Sequence, residues 1–119
     1  MLNTYRYSAK YINSNLALCG TVDLLVDFNG RVATEVTVPD MSQYKQLSVG
    51  ICVVDGGYTK VIGTAIIPRS TFVSGGMTLQ VFGGNESTWG SIKSTNKNTS
   101  IICNRTSSTT YTMRVWGIR

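Results

Sequence analysis

Histidine is absent from this 119-residue chain. That removes the commonest general base, the Ser-His-Asp and Cys-His arrangements, and most zinc sites. Charge is also scarce, with six acidic and eleven basic residues making up 14% of the chain. The carboxylates are Asp23, Asp27, Glu35, Asp40, Asp55 and Glu86. In a regular strand Asp23 and Asp27 share one face but stand about 13 Å apart, too far for either glycosidase geometry. They read as solvent-facing groups. Gly83-Gly84 lacks the Lys-Ser/Thr and helix of a phosphate-binding loop. No enzymatic activity, cofactor or metal is expected.

Long apolar runs are missing too. None approaches the roughly 18 residues of a membrane helix, so membrane insertion is not expected. Met1-Leu2-Asn3-Thr4-Tyr5-Arg6 lacks the apolar segment of a secretory leader. The three cysteines, Cys19, Cys52 and Cys103, are odd in number and show no CxxC spacing, which argues against a disulfide framework or a zinc site. Each lies in an apolar, strand-like context and reads as a buried free thiol, in keeping with synthesis in a reducing cytoplasm. The net charge of +5 is spread from Arg6 to Arg119 without a run of three basic residues. A nucleic-acid surface wants clustered Lys/Arg interleaved with aromatics; Arg6 with Tyr5, Tyr7 and Tyr11 is the nearest approach. The remaining surface is polar but mostly uncharged.

What is present is a period of two. The length suits one domain with a real core, and 42% of residues are hydrophobic. Leu16, Leu18, Gly20, Val22, Leu24, Val26 and Phe28 alternate along one run, with a bend expected at Gly20. Asn29-Gly30, a strong hairpin signal, is followed by alternating Val32, Thr34, Val36 and Val38, so residues 16–38 are expected to form a hairpin. Met41 to Gln46 reads as a connection with a single helical turn. Leu47–Val54 and Tyr58–Ile67 flank Asp55-Gly56-Gly57 and predict a second hairpin, closed by Pro68. Its centre is apolar on both faces, as in strands that face a core on one side and another subunit on the other. Shorter strands are expected over Met77–Phe82, Thr88–Lys93 and Thr99–Cys103. The last is expected over 110–119, with Tyr111, Met113 and Val115 on one face and Arg114, Trp116 and Ile118 on the other. No segment of 10–12 residues carries a helical period. Eight or so short strands with frequent turns predict an all-β chain, an antiparallel β-sandwich or jelly-roll-like knob.

Two loops carry aromatic-plus-polar groupings. Tyr58 follows Asp55-Gly56-Gly57, and Trp89 follows Gly84-Asn85-Glu86-Ser87-Thr88. A ring that stacks on a sugar face, beside side chains that take its hydroxyls, is the chemistry of glycan contact. Asp55, Tyr58, Asn85, Glu86, Trp89 and Arg105 are therefore the candidate ligand-binding residues. The competing expectation for Trp89 is that it caps the core. Arg114, Trp116 and Ile118, large groups on the second face of the last strand, are the candidate oligomer interface. Sequons at Asn85, Asn98 and Asn104 are expected by chance in so Asn/Ser/Thr-rich a chain.

The ending Met113-Arg114-Val115-Trp116-Gly117-Ile118-Arg119 resembles the aromatic-Gly-Ile-basic ending of bacteriophage tail-fibre tip domains. Leu47–Val54 with Tyr58–Ile67-Pro68 is similar to their paired core strands ending in Ile-Pro. The resemblance covers about residues 44–119. It implies a β-sandwich knob, a homotrimer, at the end of a virion fibre that recognises a bacterial surface polysaccharide or protein. Unlike such fibres, the chain shows no shaft, repeat or coiled coil. A structural virion protein, such as a head decoration or tail component, is the alternative. A basic β-barrel that binds single-stranded nucleic acid is a more distant one.

Overall fold

The computed structural model describes residues 22–85, 87–105 and 110–119, with backbone alone at Asp55 and Arg105. Among the described residues there are eight strands, β1 (Val22–Phe28), β2 (Thr34–Thr37), β3 (Gln46–Asp55), β4 (Tyr58–Pro68), β5 (Thr78–Phe82), β6 (Trp89–Ser94), β7 (Ser100–Arg105) and β8 (Tyr111–Ile118). They form two four-stranded sheets in the orders β1-β8-β3-β4 and β2-β7-β6-β5. Every pairing is antiparallel. The fold is the expected β-sandwich. First strand pairs with last and second with seventh, while β3–β4 and β5–β6 are local hairpins.

Alternation builds the core. Leu47, Val49 and Ile51 of β3 and Met113 and Val115 of β8 point inward from the first sheet, against Val81, Ile92, Ile101 and Cys103 of the second. All but Val81 are fully buried. The layers approach closely enough to need glycine. A Cβ on Gly63 would strike the carbonyl oxygen of Phe82, and one on Gly90 would strike the Met113 sulfur.

The expected first hairpin is not formed. β1 pairs with β8 and β2 with β7, so the Asn29-Gly30 segment crosses from one sheet to the other. Neither residue adopts the positive φ that a tight type I′ turn requires; the fold spends this connection on joining layers. The part of the expected strand over residues 16–21, including Gly20, and Cys19 lie outside the described residues. The second hairpin forms as read, turning on Gly56 and Gly57 at φ +59° and +84°. Pro68 does not merely close β4. It starts a six-residue helix, α1 (Arg69–Ser74), which the sequence did not announce because so short a segment holds no full period. Phe72 and Val73 of α1 are buried and plug one end of the sandwich.

Asp23 and Asp27 do not share a face. A β-bulge between Leu24 and Val26 reverses the alternation, placing Asp23 opposite Gly117 and Asp27 opposite Arg114. Neither is simply solvated. Asp23 accepts bonds from the Tyr44 hydroxyl at 2.6 Å and from Arg119 at 3.0 Å, while Asp27 pairs with Arg114 at 3.4 Å. Asp40 caps the 3-10 turn Met41–Gln43, and the Ser42 backbone N–H holds its carboxyl below the ordinary range.

Cys52 and Cys103 are buried free thiols, as expected. Burial pushes the Cys103 thiol up to about 12 from its ordinary 9.0. The unfolded chain therefore loses this proton near its ordinary value while the folded chain keeps it. Stability that is fully present below that value is lost as pH rises toward the folded one, by up to about 1.4 kcal/mol per pH unit. In urea denaturation at rising pH, Cys103→Val should lose stability less steeply than the native chain; identical slopes would show the thiol is not desolvated.

Candidate functional site

The two ends of the sandwich differ. At one end, Val22 and Gln46 both pair with Ile118, and α1 and the 3-10 turn close the core. The described chain enters at Val22 and leaves at Arg119 on this side. Arg119 is anchored there by bonds to Asp23 at 3.0 Å and Gln43 at 2.8 Å, 5.4 Å from the centroid of the Tyr44 ring. The Tyr44 ring lies on Gly117, where a Cβ would approach it to 2.6 Å.

The opposite end gathers the loops. Val53 pairs with Tyr111, Phe82 with Trp89 and Gly90 with Arg105, and Gly63 backs onto Phe82. The β3–β4 turn, the 83–88 loop and the end of β7 therefore share one end, the one away from the chain's entry and exit. Asp55, Tyr58, Asn85, Trp89 and Arg105 all sit there, which alternation along single strands could not have established. Glu86 lies outside the described residues.

These residues do not form one compact cluster. Tyr58 is 79% exposed at the hairpin tip, five residues beyond Gly63 and so about 16 Å of extended chain from the Phe82 crossing. A Cβ added at Gly56 or Gly57 in the turn beside it would meet nothing within 4 Å. The 83–88 loop is internally braced instead. Gly83 N–H donates to the Thr88 carbonyl at 2.6 Å, and Thr88 N–H to the Asn85 carbonyl at 3.3 Å. Asn85 Oδ1 accepts from the Ser87 N–H at 3.0 Å and the Ser87 hydroxyl at 2.8 Å, which turns the NH2 of the same amide to the other side.

Trp89 is half-buried and does not cap the core. Its neighbour Gly90 faces inward onto Met113, so Trp89 lies on the outer face of the second sheet. Phe82, its cross-strand partner, is 50% exposed on that same face. Phe82 stands outside the two aromatic-plus-polar groupings visible in the sequence. The alternation of buried Val81 with Phe82, continued as Trp89, Ser91 and Lys93, was the signal that could have found it.

Arg114, Trp116 and Ile118 occupy the outer face of the first sheet, as expected. Leu24, Trp116, Ser48 and Ile66 stand side by side across its four strands. Trp116 covers Gly50, where a Cβ would come within 3.0 Å of the ring. On the same face Val22, Leu24, Val54, Val61 and Ile66 are each roughly half exposed or more, up to 60% at Ile66. Thr112 Oγ1 and Arg114 Nε on this face are buried without a hydrogen-bond partner, although another Arg114 nitrogen reaches Asp27.

Among the described residues no three His, Cys, Asp or Glu side chains come together as a metal site would require, and no helix is long and apolar enough to cross a membrane. Compared with family models, characterised proteins and solved structures, the chain shows no significant match.

Because Trp89 is half-buried on the outer face and outside the core, Trp89→Ala should cost about 1 kcal/mol and lower the melting temperature by only about 4–8 °C. A collapse measured by differential scanning calorimetry would restore Trp89 to the core.

Proposed function

We propose that this chain is the tip of a bacteriophage virion fibre, a homotrimeric receptor-binding module without enzymatic activity that attaches to a bacterial surface glycan or protein. The observation that carries this is the polarity of the domain. The aromatic and polar loop residues stand at the end opposite the Val22–Ile118 pair and the anchored Arg119, where a tip held at that anchor would meet a surface. Recognition residues commonly sit on loops positioned by a rigid scaffold. The resemblance of residues 44–119 to tail-fibre tips points the same way. In a structural virion protein the same end would need no outward-facing aromatic pair such as Phe82 and Trp89.

The outer face of the first sheet supports self-association. Large exposed apolar patches mark interfaces, and stable assemblies bury surfaces resembling a split core. Closed cyclic symmetry is the usual outcome for identical chains.

Two measurements test these statements. Light scattering should give three times the 13.0 kDa chain mass, stable to dilution, and Leu24→Glu with Ile66→Glu should yield a folded monomer. A dilution-resistant native monomer removes the trimer. The purified trimer, labelled and incubated with a panel of bacterial strains, should bind a subset of them saturably; binding to none would favour the structural virion role.

A further inference from the structure

The outer face of the second sheet is chemically unlike that of the first. At its loop end Phe82 of β5 and Trp89 of β6 form a cross-strand pair, with the close Cβ spacing of directly opposed residues. One step down, Gln80, Ser91 and Asn104 stand in register on β5, β6 and β7. Adjacent strands are about 4.8 Å apart, so this row presents an amide, a hydroxyl and an amide at intervals comparable to the width of a pyranose ring. The next row carries Lys93 and, across Ile102, Glu35. One cation and one anion cancel.

We propose that this face is the bed of an uncharged polysaccharide, with a sugar ring stacked on the Phe82–Trp89 pair and the chain running over Gln80, Ser91 and Asn104. This rests on the receptor-binding function proposed above and narrows its ligand from glycan or protein to glycan. Amides and hydroxyls both donate and accept, which suits the paired donor-acceptor hydroxyls of a sugar. A nucleic acid or an acidic polymer would call for a surplus of Lys and Arg, and the face has none. A partner protein would be met by an apolar centre, which is the chemistry of the opposite sheet. Core packing does not explain Phe82, because Val81 is the residue of that pair that faces inward. The connection that joins the aromatic pair is held by hydrogen bonds from Gly83 N–H to the Thr88 carbonyl and from Thr88 N–H to the Asn85 carbonyl, which lowers the ordering cost of binding.

The test uses the intact trimer against cells of a strain that it binds, and against polysaccharide extracted from that strain. Periodate oxidation of the cells should abolish binding, and proteinase K should not. Phe82→Ala should weaken binding to the extracted polysaccharide about tenfold, the scale of one lost stacked aromatic. Gln80→Ala and Asn104→Ala should each weaken it severalfold, and Tyr58→Ala should have little effect. The melting temperature of the Gln80 and Asn104 variants should be native, so they decide the matter even if Phe82→Ala unfolds. Binding lost to proteinase but not to periodate would leave a receptor-binding tip whose ligand is a protein, overturning the glycan bed alone. Glycan binding that depends on Tyr58 but not on Gln80, Asn104 or Phe82 would move the site to the hairpin tip and overturn it equally. Failure to bind any strain would remove the receptor function itself, and this inference with it.

Discussion

The first sheet depends on β8 being hydrogen-bonded along both edges. It pairs with β1 on one side and with β3 on the other. Without it β1 has no neighbour in that sheet, and β3–β4 becomes an isolated hairpin, which is marginal in water. The inward side chains of β8, Met113 and Val115, are fully buried, and Met113 reaches across to fill the space above Gly90. Its far end is secured by Tyr44 lying on Gly117 and by Arg119 bonded to Asp23 and Gln43. These contacts tie β8 to the start of β1 and to the 3-10 turn, so the last strand also fixes the position of the first.

From that constraint follows a division of labour between outer faces. The first sheet turns outward a band of Leu24, Trp116, Ile66 and their neighbours, interrupted by the Asp27–Arg114 pair, Gln46 and several small residues. The second turns outward amides, hydroxyls, one aromatic pair and the opposite charges of Lys93 and Glu35. Water tolerates the second face and disfavours the first, so the two sides are suited to different partners. The bulge in β1 contributes to this arrangement. By reversing the alternation after Leu24, it lets Val22 and Leu24 join the outer apolar band while Val26 still enters the core.

Much of the fold was legible because period-two patterning records which face of a strand is buried. The strands from Gln46 onward, the Gly56-Gly57 turn, the inward and outward sets of β8 and the burial of Cys52 and Cys103 all followed from it. The failures share a cause. Asn29-Gly30 is a local signal for a tight turn, but whether two successive strands pair or separate into different sheets depends on which strand else claims each edge, here β8 and β7. Helix α1 is too short to show a period, and its Phe72 and Val73 resemble strand residues until the open end of the sandwich makes them a plug. The face shared by Asp23 and Asp27 was misread because one inserted residue, invisible in the alternation, reverses every side chain beyond it.

The candidate site was legible as residue types and not as a place. Sequence alone determined that this chain is an all-β domain without histidine, with little charge, and with aromatics set among glycine-rich turns. Those properties are carried by composition and by neighbours along the chain. Only the tertiary structure decided that the Tyr58 turn, the 83–88 loop and Arg105 share one end, that Trp89 faces outward beside Phe82, and that Gln80, Ser91 and Asn104 line up across three strands. Such adjacency is fixed by strand register between segments distant in the chain, as in the pairing of Val53 with Tyr111. Register is set by the summed packing of the core, which no short stretch of sequence contains.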